Sequence, residues 1–94
     1  MPQIINAMET IVKNLFVEFQ KNYRLKCACD ECQTDILVLT LNRIPPKYVS
    51  SQTGELYIKT LYLNSQLQSD VLRELSRAVL IVEKTPHRSR QNKE

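Results

Sequence analysis

Ninety-four residues bound the chain to one small domain, 1–94, whose 43% hydrophobic content supplies a modest core, so a metal staple or a partner subunit matters to its stability. The net charge of +3 is mild, and the basic residues are spread out except near the end, which excludes the broad basic face that extended duplex DNA calls for. No run of roughly 18 apolar residues occurs, and no basic, apolar and small-residue series opens the chain, so membrane spanning and secretion are disfavoured and reducing cytoplasm is the expected compartment.

Ile4, Ile5, Met8, Ile11, Val12, Leu15, Phe16, Phe19 and Tyr23 recur at three- and four-residue steps, the period of a helix with one apolar face. Glu9, Lys13, Asn14, Gln20 and Lys21 fill the other side. Pro2 suits a helix start and no Gly or Pro interrupts the run, so the spacing predicts a first helix of about five turns. The stripe is wide, with adjacent apolar pairs at 4 and 5, 11 and 12, and 15 and 16, and leaves surface that a second chain can cover.

All three cysteines then fall within six positions, in Cys27-Ala28-Cys29-Asp30-Glu31-Cys32. Three sulfurs on one short turn can converge on a soft, tetrahedral ion such as Zn²⁺. Structural zinc sites usually close with four ligands, and the only histidine, His87, is the candidate for the fourth; Asp30, Glu31, a water or a group from a second chain are the alternatives. A redox pair of Cys29 and Cys32 in CxxC spacing is a competing reading. A disulfide framework is disfavoured by the odd count.

Arg24-Leu25-Lys26 and the knuckle read as a loop leading into a second helix, capped by Asp30 or Thr34, with Asp35 in its first turn. Ile36, Leu37, Val38, Leu39 and Leu41 form an apolar run that periodicity alone cannot divide between strand and helix. Capping chemistry before it and the stop Asn42-Arg43-Ile44-Pro45-Pro46 after it favour a helix. Residues 47–55 read as a polar loop in which Gly54, the only glycine, is expected at positive φ in a tight turn. Residues 56–63 are β-branched and aromatic enough for a short extended piece or an irregular helical lead-in. Ser65 and Gln68 have capping-box spacing, and Leu67, Val71, Leu72, Leu75, Ala78, Val79 and Val82 predict a final helix from about 66 to 83. Pro86 marks its end, and His87 follows directly, placed to meet the knuckle if that helix packs back on it. The basic tail from about 84, with Lys84, Arg88, Arg90 and Lys93, reads as a solvated end.

The sequence contains no GxxxxGK[ST] loop, GxSxG elbow or HExxH pair, and one histidine with one glycine makes a poor enzyme, so no enzymatic activity is expected. Arg43, Lys47 and Tyr48, with Ser50, Ser51 and Thr53, place cations, a stacking ring and hydroxyls in one stretch, the groups that a small phosphorylated ligand uses. The same residues also describe a polar loop with one anchoring tyrosine.

The cysteine knuckle followed by Asp35-Ile36-Leu37-Val38-Leu39-Thr40-Leu41-Asn42-Arg43-Ile44-Pro45-Pro46-Lys47-Tyr48-Val49 resembles the core of the late competence development ComFB family, and the flanking helices extend the likeness over almost the whole chain. The resemblance implies a small all-α bacterial cytoplasmic protein of three to four helices, a homodimer, with zinc in a knuckle between the first and second helices. By position Cys27, Cys29 and Cys32 match the family's knuckle. The fourth ligand in relatives is a cysteine or another group near the C-terminus; this chain has no fourth cysteine, so the role passes by inference to His87. Some relatives, mainly ones lacking the knuckle, are described as receptors for cyclic dinucleotides such as c-di-GMP. They share LNRxPPxYxxS, which marks Arg43, Lys47, Tyr48 and Ser51 as ligand-binding positions. The expectation is therefore a non-enzymatic, zinc-binding accessory or regulatory homodimer, with a cyclic dinucleotide receptor as the alternative and a thiol redox protein as a minor one.

Overall fold

Four helices account for most of residues 3–84, the part of the chain that the computed structural model describes. In chain order the elements are β1 (Ile5–Asn6), α1 (Ala7–Asn22), α2 (Asp30–Arg43), β2 (Tyr48–Val49), α3 (Gln52–Leu61) and α4 (Ser65–Lys84). The expected all-α class holds, with the cysteines at the junction of the first two long helices.

The apolar face of α1 buries Met8, Ile11, Val12 and Phe16. Against it α4 turns Val71, Leu75, Ala78, Val79 and Val82, which repeat every three or four residues and so share one side of the helix. α2 lies most extensively on α4 and also meets α1. In α2 only Cys32, Ile36 and Thr40 are buried, at four-residue steps, whereas Val38 is 49% exposed. That spacing resolves the apolar run into a helix, because a buried strand would hide alternate residues instead. Thr40 tolerates burial because its hydroxyl donates to the Ile36 carbonyl at 2.8 Å.

Four local features differ from the sequence expectation. The first helix begins at Ala7 and not near Ile4, because β1 pairs antiparallel with β2, Ile5 opposite Val49 and Asn6 opposite Tyr48. Asn6 ends the strand and caps α1: its Oδ1 accepts from Met8 N at 3.1 Å and from Lys47 N at 3.0 Å. The stretch 56–63 takes the helical and not the extended alternative, and through Leu61 it belongs to a separate helix, α3, whose N-cap is Ser51, its Oγ accepting from Gly54 N at 3.2 Å. Gly54 lies in the first turn of that helix without a positive φ. Its lack of a side chain serves close approach, since a Cβ there would come within 3.1 Å of the Val49 Cβ on β2. Finally, Asn64 and not Ser65 caps α4, its Oδ1 accepting from Gln66 N at 2.8 Å and Leu67 N at 3.3 Å.

No residue of α3 is fully buried. Leu56 and Tyr57 are each about two-thirds exposed, and Leu63 just beyond is 76% exposed, so the unsatisfied apolar surface lies more on α3 than on α1. Among the described residues, no helix is long and apolar enough to cross a membrane.

Candidate metal centre

The knuckle sits where the seven residues between α1 and α2 run into the first turn of α2. Cys27 lies on that connection, Cys29 is the N-cap of α2, and Cys32 is inside the first turn. Cys29 replaces the expected Asp30 or Thr34 cap: its Sγ accepts from Cys32 N at 3.4 Å, while its carbonyl accepts from Gln33 N at 3.0 Å. Asp30 and Glu31 instead occupy the first turn, where their charge meets the positive end of the helix dipole. Gln33 folds back and donates from Nε2 to the Ala28 carbonyl at 2.6 Å, which shapes the bend between the first two cysteines.

The three sulfurs lie within 4.8 Å of one another, and those of Cys27 and Cys29 are 3.4 Å apart. A disulfide needs about 2.05 Å, so this pair is not bonded. With metal–sulfur bonds of about 2.3 Å, a tetrahedral ion separates neighbouring sulfurs by about 3.8 Å, a value inside the observed span. The donor set therefore fits a soft metal: three sulfurs gather within 4.8 Å of one another at the N-terminus of α2, the positive end of the helix dipole. Cys32 is buried, and Cys27 and Cys29 are partly buried. His87, the expected fourth ligand, lies outside the described residues.

The approach to the knuckle is tied down from α4. Glu83, in the last turn of that helix, accepts from the Tyr23 hydroxyl at 2.8 Å through one carboxylate oxygen and from Lys26 N at 3.1 Å through the other. Tyr23, the residue that ends α1, also packs its ring on Phe19, with centroids 5.3 Å apart. The hydrogen bond to Glu83 raises the Tyr23 phenol above its ordinary value of 10, and loss of solvent and the carboxylate charge push the same way. Sequence reading missed Glu83; its one local signal is an acid in the last turn of a helix, against the dipole.

The other candidate residues are not brought to one point. Arg43 Nε pairs with Glu74 at 2.9 Å, and Arg43 and Lys47 border a cavity of about 420 Å³ shared with Asp70, Arg73 and Glu74. Tyr48 borders a different hollow, with Ile4, Val49 and Ser50. The Ser51 hydroxyl is engaged in capping α3.

A family model described as the late competence development protein ComFB matches residues 5–86. The competence protein ComFB of Bacillus subtilis (strain 168) is 28% identical over 83 residues, which cover 88% of this chain and 85% of that protein. A solved structure of the late competence protein ComFB from Bacillus subtilis superposes with a TM-score of 0.82 at 27% identity, covering 89% of this chain and 92% of that one. The family match spans most of the chain and the fold agrees with it, so this chain belongs to the ComFB family of late competence development proteins.

Proposed function

We propose that this chain is a zinc-binding, non-enzymatic accessory or regulatory protein of late competence that acts as a cytoplasmic homodimer. The observation that carries the reading is the convergence of Cys27, Cys29 and Cys32 within 4.8 Å at the start of α2. Zinc is the metal assigned because three thiolates on a tight turn suit a tetrahedral ion without redox chemistry of its own. A further group, His87 or a carboxylate near the knuckle, would close the site. In a domain this small the binding energy is part of the folding energy, so the ion staples the α1–α2 connection to the core. The dimer draws support from the apolar side chains Leu56, Tyr57 and Leu63 that α3 and its C-terminal end leave in water.

Native mass spectrometry with metal analysis tests both parts. The expected result is twice the 11.0 kDa chain mass with one zinc per chain and all thiols protected from alkylation. A folded, metal-free monomer would overturn the proposal, and an alkylation-sensitive Cys29–Cys32 pair would favour redox chemistry instead. The cyclic dinucleotide reading has weaker support, since Arg43 is already paired with Glu74 and Tyr48 borders a separate hollow. Calorimetric heat with c-di-GMP that vanishes in an Arg43→Ala, Lys47→Ala variant would restore it.

A further inference from the structure

Two of the three sulfurs owe their position to α2: Cys29 begins the helix and Cys32 follows one turn later. Cys27 belongs to no helix, so its place depends on how the connection from α1 is held. The carboxylate of Glu83 bridges both ends of the first part of that connection, taking the Tyr23 hydroxyl where α1 stops and the backbone N–H of Lys26 directly before Cys27. These contacts join residues 60 and 57 positions apart, so they set tertiary geometry and not local turn shape. An acid at the negative end of a helix is unfavourable locally, and the two hydrogen bonds it accepts offset that.

We infer that Glu83 is a positioning residue for the metal knuckle: by clamping Tyr23 and Lys26 it presents the Cys27 sulfur to the ion shared with Cys29 and Cys32. The inference rests on the proposed metal reading and adds to it a residue from the far end of the chain. Partners that orient metal ligands without touching the metal commonly govern affinity by about 10- to 100-fold. The clamp needs a hydrogen bond to each of Tyr23 and Lys26 and not a charge. A glutamine at this position can accept from Lys26 N–H with its oxygen and donate to the Tyr23 oxygen with its amide nitrogen.

The test uses the full chain loaded with zinc and, separately, with cobalt. Zinc affinity is measured by competition with a chromogenic chelator, and the number of sulfurs on the ion is read from the thiolate-to-cobalt charge-transfer band. Glu83→Ala is expected to weaken zinc by about 10- to 100-fold and to lower the band from its three-sulfur to its two-sulfur value. Glu83→Gln is expected to stay within a few-fold of the parent protein. Tyr23→Phe removes one of the two hydrogen bonds, weakens zinc by a smaller factor, and supplies the test if the alanine variant does not fold. Glu74→Ala breaks a different carboxylate contact of α4, the one to Arg43 of α2 away from the knuckle, and should leave affinity and band unchanged. Equal losses in Glu74→Ala and Glu83→Ala, a glutamine variant as weak as the alanine one, or an unchanged band in Glu83→Ala would each overturn the clamp. A parent protein that takes up neither metal would overturn the metal reading itself, which separates the two failures.

Discussion

Cys29 is the cap of α2 and, under the proposed function, also a metal ligand, and two substitutions separate the two roles. Its Sγ accepts from Cys32 N at 3.4 Å and lies 3.4 Å from the Cys27 sulfur. Cys29→Ala removes both functions, whereas Cys29→Ser keeps a capping acceptor, and a better one, but supplies no soft thiolate. Without metal, the alanine variant should lose about 0.5–2 kcal/mol, towards the low end because a thiol is a weak acceptor, and the serine variant should match or exceed the parent. With zinc at about 100 times its dissociation constant, the parent gains about 2.7 kcal/mol. At about 4–8 °C per kcal/mol for a domain of this size, that gain appears as a rise in Tm of about 10–20 °C. Both variants should lose most of that rise. Thermal unfolding followed by circular dichroism, with added zinc and then with a chelator, reads all six conditions. A serine variant that keeps the full zinc-dependent rise would refute Cys29 as a ligand, and a metal-free serine variant weaker than the alanine one would refute it as a cap.

Asn6 serves two donors from different parts of the chain, so Asn6→Ala should remove about 1–2 kcal/mol, read as a lower urea midpoint with an unchanged slope; a loss within error would mean that water replaces both contacts. The raised Tyr23 phenol gives a pH dependence of fixed sign. Its protonated form is favoured in the folded state, so its contribution is present below pH 10 and is lost as pH rises through the higher folded value. The stability difference between the parent and Tyr23→Phe should therefore shrink in alkaline titration, and a gap that widens above pH 10 would contradict the hydrogen bond to Glu83.

What the sequence makes legible follows from how far each structural cause reaches along the chain. α1 and α4 are readable because a one-sided apolar face repeats every three or four residues over several turns, and Met8, Val12 and Phe16 or Val71, Leu75 and Val79 carry that repeat plainly. The ribbon of β1 and β2 is not, since two residues per strand leave no period to detect; its cause is the pairing of Ile5 with Val49, 44 positions away. α3 is obscured for another reason. Ile58, Thr60 and three aromatic or leucine neighbours suggest extension, but Ser51 as cap and Glu55 in the first turn set a helix that buries no residue fully, so tertiary packing leaves little trace in its pattern. Gly54 misleads in the same stretch, because a glycine needed for close approach to Val49 looks like one needed for positive φ.

The site divides along the same line. Its chemistry is local, and three cysteines in six positions point to a candidate soft-metal site before any geometry is known. Its architecture is not local. Cysteine is no common helix cap, so Cys29 at the start of α2 goes unread, and the sulfur that caps the helix also sits 3.4 Å from that of Cys27. If Cys29 binds the metal as proposed, metal binding is tied to helix formation, because placing its sulfur and starting the helix are one event. The remaining degree of freedom is the path of Cys27, and the carboxylate that restrains it arrives on a helix whose last turn gives no periodic hint of the contact. On the proposed metal reading, such a knuckle would be complete only when α4 has docked, and metal retention would then measure tertiary packing and not the six-residue motif alone.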